Sequence, residues 1–260
     1  MPCGAGTFQI DFDFCAHRLM ISLSDGRTDS FPLAPMSVAS FYKEAMDCLR
    51  GLGLEIAIWP VPVEIADPIP FAEDRMHAAY DADMAQRFWR ILVLADRVLT
   101  EFRGRFIGKV SPVHFFWGSF DLAVTRFSGR IAPPHPGAPN VALHVVREAY
   151  SHQVSSCGFW PGNGGFGKAA FYSYAYPEPP GFADAKILPD GAYYSRELGE
   201  FILPYDVARQ AAAPNEAVLD FLQTTYDAAA DAAKWDRAAL ERASFDGKGP
   251  AGRNPRGLAL

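Results

Sequence analysis

Residues 113–130 read VHFFWGSFDLAVTRFSGR, and this stretch decides the fold that we expect. As one continuous strand it would be far longer than the usual ~5–6 residues. Gly118 and Ser119 in its middle favour a two-residue hairpin loop, because glycine reaches positive φ without cost. Such a hairpin pairs His114 with Ala123 and sorts the apolar side chains onto one face, since side chains alternate along a strand. The pattern therefore predicts a β-hairpin in the middle of an antiparallel sheet.

The second face of this hairpin carries His114 and Asp121. In a continuous strand the two residues would be about 23 Å apart at ~3.3 Å per residue. In the hairpin they are diagonal neighbours, roughly 7–8 Å apart. A histidine and a carboxylate on a half-apolar face are candidates for acid–base chemistry or metal binding. The alternative is a buried polar pair whose hydrogen bonds are satisfied by backbone groups.

Composition limits the classes of protein to consider. The chain has 260 residues, 49% of them hydrophobic and 21% charged, which is ordinary for a globular protein with a substantial core. The net charge is −6 and no basic stripe precedes the C-terminal tail, which argues against nucleic acid as a partner. No apolar run approaches the ~18 residues of a membrane span, and no signal peptide is evident. Four scattered cysteines are typical of reduced thiols, so we predict a cytoplasmic protein.

The rest of the chain alternates strand and helix patterns. Residues 8–14 and an Asp25-Gly26 turn predict an opening strand meander. Further patterns predict a helix capped by Ser37 and running to about Arg50, a strand at 54–59, a helix at 81–103, an aromatic strand at 170–176 and a helix at 215–233. Together they predict an α+β fold, a single domain over residues 1–243 with a largely antiparallel sheet and helices packed on one side. Residues 244–260 have no apolar periodicity and are predicted to form a disordered tail.

A glycine-rich segment formally matches two nucleotide-binding motifs. Gly162, Gly164 and Gly167 fit G-x-G-x-x-G, and Lys168 follows as in a phosphate loop. Both motifs need a helix afterwards, whose N-terminus binds the phosphate. An aromatic strand follows here instead, and Ala169 replaces the hydroxyl residue that would bind magnesium. We therefore interpret the segment as a flexible loop beside a pocket.

Two further groups of residues precede and follow that loop. His152 and Cys157 are five positions apart, and a histidine near a cysteine is found in nucleophile–base pairs and in metal sites. No cationic activator accompanies the thiol, which favours a structural cysteine. Tyr172, Tyr174 and Tyr176 alternate on one side of their strand, where they could line an aromatic pocket or simply pack.

Several long motifs together resemble a bacterial family known only as a domain of unknown function. They are FDFCAHRL, IWPVPVEIADPIPF, SPVHFFWGSFDLAVTRFSGR, REAYSHQVSSCGFWPG and AYPEPPGF. The resemblance extends over about residues 8–242 and implies no established activity. In that family a Trp-rich segment precedes the first long strand; its absence here would leave a sheet edge free for a partner. A carboxylate commonly replaces Gln153 in the family, so the resemblance implies a weaker metal site in this chain.

Two functional hypotheses remain. The first is an enzyme acting on a small molecule, either by acid–base chemistry alone or with a divalent metal ion as cofactor. Its catalytic residues would be His114, Asp121 and His152, which are also the candidate metal ligands. The predicted pocket residues are Trp117, Arg126, Cys157, Trp160, Tyr174 and Glu178. The second hypothesis is a non-catalytic module that binds a ligand or a protein; the sequence leaves the oligomeric state open.

Overall fold

The computed structural model describes residues 1–4, 6–63, 65–163 and 166–242. Within these ranges the strands form two antiparallel sheets. The first sheet contains, in spatial order, β1 (Pro2–Cys3), β2 (Gly6–Asp13), β3 (Arg18–Leu23) and β4 (Thr28–Pro32). Gly26 takes a φ of 92° in the turn between β3 and β4, as the Asp-Gly pair predicts. The opening meander is thus confirmed.

Helix α1 (Val38–Gly51) covers the first sheet. Ser37 caps it, because its Oγ accepts a hydrogen bond from the backbone N–H of Ser40 at 3.1 Å. Phe8, Leu19, Ile21, Phe31, Cys48 and Leu49 are among the residues of the core between helix and sheet. The strand predicted at 54–59 is wrong, since these residues lie outside both sheets. Pro60 and Pro62, which follow directly, have no N–H group to donate to a strand ladder.

The second sheet contains the central hairpin. Its strands are β5 (His114–Phe116), β6 (Asp121–Ile131), β7 (His152–Trp160), β8 (Ala170–Tyr176), β9 (Tyr193–Ser195) and β10 (Glu200–Pro204), in the order β5-β6-β7-β8-β10-β9. His114 pairs with Ala123, so the predicted register is confirmed. The predicted two-residue turn is wrong, because residues 117–120 all lie in the loop and Phe120 takes a positive φ of 59°.

Strand β7 is the feature that sequence reasoning missed. It pairs with β6 on one side and β8 on the other, so it lies inside the second sheet. Serine and glycine at 155, 156 and 158 interrupt the β-branched and aromatic composition that usually marks a strand. Two of these small residues, Ser156 and Gly158, lie on the face of the sheet that points away from the long helices, because they pair with Thr125 and Ala123.

Two long helices pack against one face of the second sheet. These are α2 (Ala82–Gly104), capped by the Asp81 carboxylate, and α5 (Pro214–Ala232). Shorter helices are α3 (Leu143–Ala149), α4 (Tyr205–Gln210) and α6 (Arg237–Leu240), with a 3₁₀ turn at Phe182–Asp184. Leu122 and Val124 on β6 face the two long helices, as the alternation predicts. The α+β class, with antiparallel sheets and helices, is therefore confirmed.

The hairpin loop links the two sheets. The Trp117 ring lies 5.5 Å from the Phe12 ring on β2, and the side-chain amide of Gln86 on α2 donates to the Phe14 carbonyl at 3.4 Å.

In the part of the chain that the structure describes, no helix combines the length and the apolar character needed to cross a bilayer. The tail predicted at 244–260 falls outside the described residues.

Candidate functional site

The face of the second sheet that points away from α2 and α5 carries a row of aligned side chains. Ala123 on β6 pairs with Gly158 on β7, Gly158 with Tyr172 on β8, and Tyr172 with Ile202 on β10. All four residues are on the same face, because directly paired residues of neighbouring strands point the same way. This row is the base of the site.

Gly158 allows Tyr172 to reach across a strand. A Cβ atom at this position would lie 2.6 Å from the Tyr172 hydroxyl oxygen and would also meet the Leu122 carbonyl oxygen. Since glycine has no side chain, the phenol passes over β7 and donates a hydrogen bond to the Asp121 carboxylate on β6. The hydroxyl of Ser119 donates to the same carboxylate. Two hydroxyl groups thus hold Asp121, which is only 7% exposed.

Tyr174 extends this arrangement one row further along β8. Its ring is stacked 6.2 Å from that of Tyr172, and its hydroxyl group lies 2.8 Å from the hydroxyl of Tyr150, which follows α3. Beside it, the hydroxyl groups of Thr125 and Ser156 are 2.8 Å apart. Burial raises the pKa of both Tyr150 and Tyr174, so both phenols are protonated and able to donate at neutral pH.

Glu200 adds a second carboxyl group. Phe201 pairs with Ser173, so Glu200 at the start of β10 lies beside Tyr174 on the outer face. Burial, and next the negative charge of Asp121, raise the pKa of Glu200 to about 7. Glu200 can therefore both accept and donate a proton at neutral pH. We call Asp121, Tyr150, Tyr172, Tyr174 and Glu200 the tyrosine–carboxylate cluster.

Further aromatic rings border the cluster at both ends. Trp160 stacks on Phe166 with ring centroids 5.4 Å apart, and both pack against the row that contains Tyr172. At the other end His135 lies between the rings of Tyr150 and Tyr176, 4.6 Å from each. His135 itself is half-buried.

Within the described residues, no cationic side chain pairs with either carboxyl group. Among residues 1–4, 6–63, 65–163 and 166–242, no Lys, Arg or His nitrogen lies within 4.0 Å of Asp121 or Glu200. Burial and the charge of Asp121 both raise the pKa of Tyr172. A carboxylate in a low-dielectric site favours a positively charged partner.

His114 is close to this face but is not part of the network. Its Nδ1 lies 3.0 Å from the Pro112 carbonyl oxygen, and its ring lies 4.3 Å from that of Phe116. The confirmed hairpin register puts His114 and Asp121 on one face as predicted, yet the hydrogen-bond partners of Asp121 are hydroxyl groups. A direct His–Asp pair is therefore not formed.

His152 lies at the opposite end of the sheet. It pairs with Ile131, whereas Phe159, seven residues later on β7, pairs with Leu122 next to Asp121. At ~3.4 Å per residue the separation along the strand is about 24 Å. The predicted metal site of His114, Asp121 and His152 is therefore wrong. The described part of the chain contains no group of three or more His, Cys, Asp or Glu residues arranged to hold a metal ion.

Arg126 and Cys157 belong to the core and not to a pocket. Both point toward the helices, and Arg126 is only 1% exposed. Its guanidinium lies 3.4 Å from the centre of the Phe102 ring and 4.2 Å from that of Tyr226, and it donates to the Phe102 carbonyl. Burial raises the pKa of the Cys157 thiol to about 12, so this cysteine is a structural residue. The prediction that these two residues line a pocket is wrong.

The remaining predicted pocket residues are divided among three places. Trp117 is exposed at the hairpin loop. Glu178 accepts a hydrogen bond from Tyr194 and lines a cavity of about 200 Å³ on the helix side, together with residues such as Trp235. Only Trp160 and Tyr174 share the outer face with Asp121. That cavity brings together no acid–base pair, so the chemistry points to the outer face.

The glycine-rich segment leads into this face. Gly162 takes a φ of 82°, and a Cβ there would collide with the backbone of Lys168, so the two ends of the loop approach closely. Gly164 of the formal nucleotide motif lies outside the described residues. Strand β8 follows Lys168, and no helix N-terminus is available there for a phosphate group.

Sequence reasoning missed Tyr150, Glu200 and Gly158 as members or supports of the site, and it left Tyr172 open between lining an aromatic pocket and packing. One signal was present, because a glycine inside a strand often marks a close approach by another group. It had no meaning until residues 152–160 were recognised as a strand.

Comparison with known proteins places the chain in a family. Residues 1–242 match the model of a family described as "Family of unknown function (DUF5996)". The chain belongs to this family. No curated protein and no solved structure matches it.

Proposed function

We propose that this DUF5996 protein binds a small organic cation at the tyrosine–carboxylate cluster, and that Glu200 exchanges a proton with it. The position of Asp121 is the observation that supports the proposal most. Asp121 is only 7% exposed, two hydroxyl groups orient its carboxylate, and no described cation pairs with it. Burying an unpaired charge is costly, and a positively charged ligand would provide the missing partner.

The surrounding rings fit the same class of ligand. Cations are attracted to the negative faces of aromatic rings, most strongly where water is excluded. Tyr150, Tyr174 and Trp160 are half-buried, so each keeps part of its surface accessible to a ligand. The aromatic lining favours an organic cation, such as an amine, over a small hydrated ion.

Each member of the cluster then has a chemical role. Glu200 would act as the general base, because a group whose pKa is near the working pH transfers protons most effectively. Asp121 would stabilise the positive charge of the ligand. Tyr172, which crosses β7 to reach Asp121, would be a positioning residue that holds the carboxylate in place. The histidines at 114 and 152 have no part in this proposal.

The test uses three probes of similar shape but different charge: benzylamine, benzyl alcohol and benzoate. Isothermal titration calorimetry is carried out at pH 7 in two buffers with different enthalpies of ionisation. We expect benzylamine alone to bind, with a heat that depends on the buffer because Glu200 gains or loses a proton. Asp121→Asn should weaken binding about tenfold, and Glu200→Gln should remove the buffer dependence.

Asp206→Asn, at an exposed carboxylate on α4, is the matched control and should bind benzylamine like the wild type. Equal binding of benzoate or benzyl alcohol, or no binding of benzylamine, would overturn the proposal. Release of a changed product from a bound amine would identify an enzyme. Binding and proton exchange without turnover would identify a non-catalytic binding module.

A further inference from the structure

A groove beside α1, far from the tyrosine–carboxylate cluster in the fold, is lined by positive charge. Its volume is about 380 Å³, and the side chains of Ser40, Tyr42, Lys43, Arg50 and Arg75 are among those that line it. Small-molecule sites commonly have volumes of ~300–1,000 Å³. Three cations in one groove are notable in a chain whose net charge is −6.

The turn that carries Arg75 is fixed to the start of α1. The backbone N–H groups of Val38 and Ala39 donate to the carbonyl oxygens of His77 and Asp74 at 3.0 and 2.9 Å. The buried Asp74 carboxylate accepts from the backbone N–H of Met76 and of His77, both at 3.1 Å, and lies 2.8 Å from the His77 ring nitrogen Nδ1. Arg75 is thus held between two residues that are hydrogen-bonded to the helix.

Two of the three lining cations form ion pairs on α1. The Asp47 carboxylate pairs with Lys43, one turn before it, at 2.6 Å and with Arg50, one turn after it. In the described part of the chain Arg75 forms no ion pair within 4.0 Å. Three cations line the groove, and within the described residues Asp47 is the one carboxylate that forms ion pairs with them. Glu44 also acts on Lys43 but does not line the groove.

We propose that this groove binds a small phosphate ester. A phosphate monoester carries a charge of about −1.5 to −2 at pH 7, and the three cations that line the groove provide partners of opposite sign. Arginine side chains bind phosphate oxygens through two parallel hydrogen bonds, and the Ser40 hydroxyl is a further donor. Tyr42, whose ring lies 5.9 Å from that of Phe71, provides an aromatic wall for the organic part of the ester.

The experiment is a nuclear magnetic resonance titration of the full chain, labelled with nitrogen-15, at low ionic strength. The probes are inorganic phosphate and phenyl phosphate. We expect both to shift backbone signals of α1 and of the turn at residues 72–77, with phenyl phosphate binding more tightly because of Tyr42. Arg75→Gln should weaken binding about tenfold. Arg90→Gln, at an exposed arginine on α2, is the control and should leave binding unchanged.

Asp47→Asn gives the sharpest test, because it removes the negative charge that pairs with Lys43 and Arg50 and nearly keeps the size of the side chain. We expect it to tighten phosphate binding about fivefold. Equal affinities in the wild type, Arg75→Gln and Asp47→Asn would overturn the proposal and leave only non-specific ion binding. The absence of any signal shift with either probe at a concentration of about 10 mM would also overturn the proposal, because the dissociation constant would then be too high for a small-molecule site.

Discussion

Arg126 and Asp121 lie five residues apart on β6 and are buried on opposite faces of the second sheet, and their charges are accommodated differently. Arg126 is enclosed by the rings of Phe102, Phe106 and Tyr226, and the Phe102 carbonyl accepts its hydrogen bond. Asp121 is held by two hydroxyl groups beneath half-buried rings and near a second carboxyl group. A charge in a closed aromatic enclosure serves the fold. A charge on a half-open face with titratable neighbours is suited to binding a ligand.

The largest effect should come from removing the Arg126 side chain from its aromatic enclosure. Arg126→Ala removes a fully buried side chain, and we expect it to lower the free energy of unfolding by about 4 kcal/mol. Arg126→Met fills most of the volume without a charge and should cost no more than about 1 kcal/mol, because buried charges are often replaceable by apolar groups. Denaturant unfolding measures both values. An equally large loss in Arg126→Met would show that the charge itself holds the three rings together.

The next effect concerns the crossing of Tyr172 over β7. Gly158→Ala places a Cβ 2.6 Å from the Tyr172 hydroxyl oxygen and against the Leu122 carbonyl, so a strand must shift. We expect a loss of about 3 kcal/mol in the free energy of unfolding. Gly104→Ala at the end of α2 meets no atom within 4 Å and is the control; it should be neutral or slightly stabilising. If both variants were equally stable, the close approach of Tyr172 to Asp121 would be in doubt.

The smallest effect depends on pH and tests the open face. Below pH ~4.5 Glu200 is protonated in both the folded and unfolded states. As the pH rises toward 7, the unfolded state loses this proton first, because the pKa of Glu200 in the folded state is raised to about 7. The wild type should therefore lose stability relative to Glu200→Gln between these values, by about 2 kcal/mol once the partial exposure of Glu200 is allowed for, and the difference should be constant above pH ~8.

Unfolding by urea at pH 4.5, 6 and 8 measures this difference. Glu197→Gln, at an exposed position three residues before β10 begins, is the control variant. A Glu200→Gln variant whose stability relative to the wild type does not change with pH would contradict a protonated Glu200 at neutral pH. It would also remove the proton exchange from the proposed function.

The sequence by itself determined much of the local structure of this protein, although not strand β7 or the turn of the central hairpin. Alternation specified β2 and β8, the apolar stripes specified α2 and α5, and Ser37 specified where α1 begins. These features depend on residues within a few positions of one another. The hairpin register at His114 and Ala123 was predictable for the same reason, although its turn was not.

Only the tertiary structure decided which side chains share a site. Asp121, Tyr150, Tyr172 and Glu200 come from four segments, and strand order together with register brings them to one face. Register also separates His152 from Asp121. Arg126 lies in the core because its side chain points toward the helices. Strand pairing depends on contacts between distant residues, which no local pattern in a single sequence specifies.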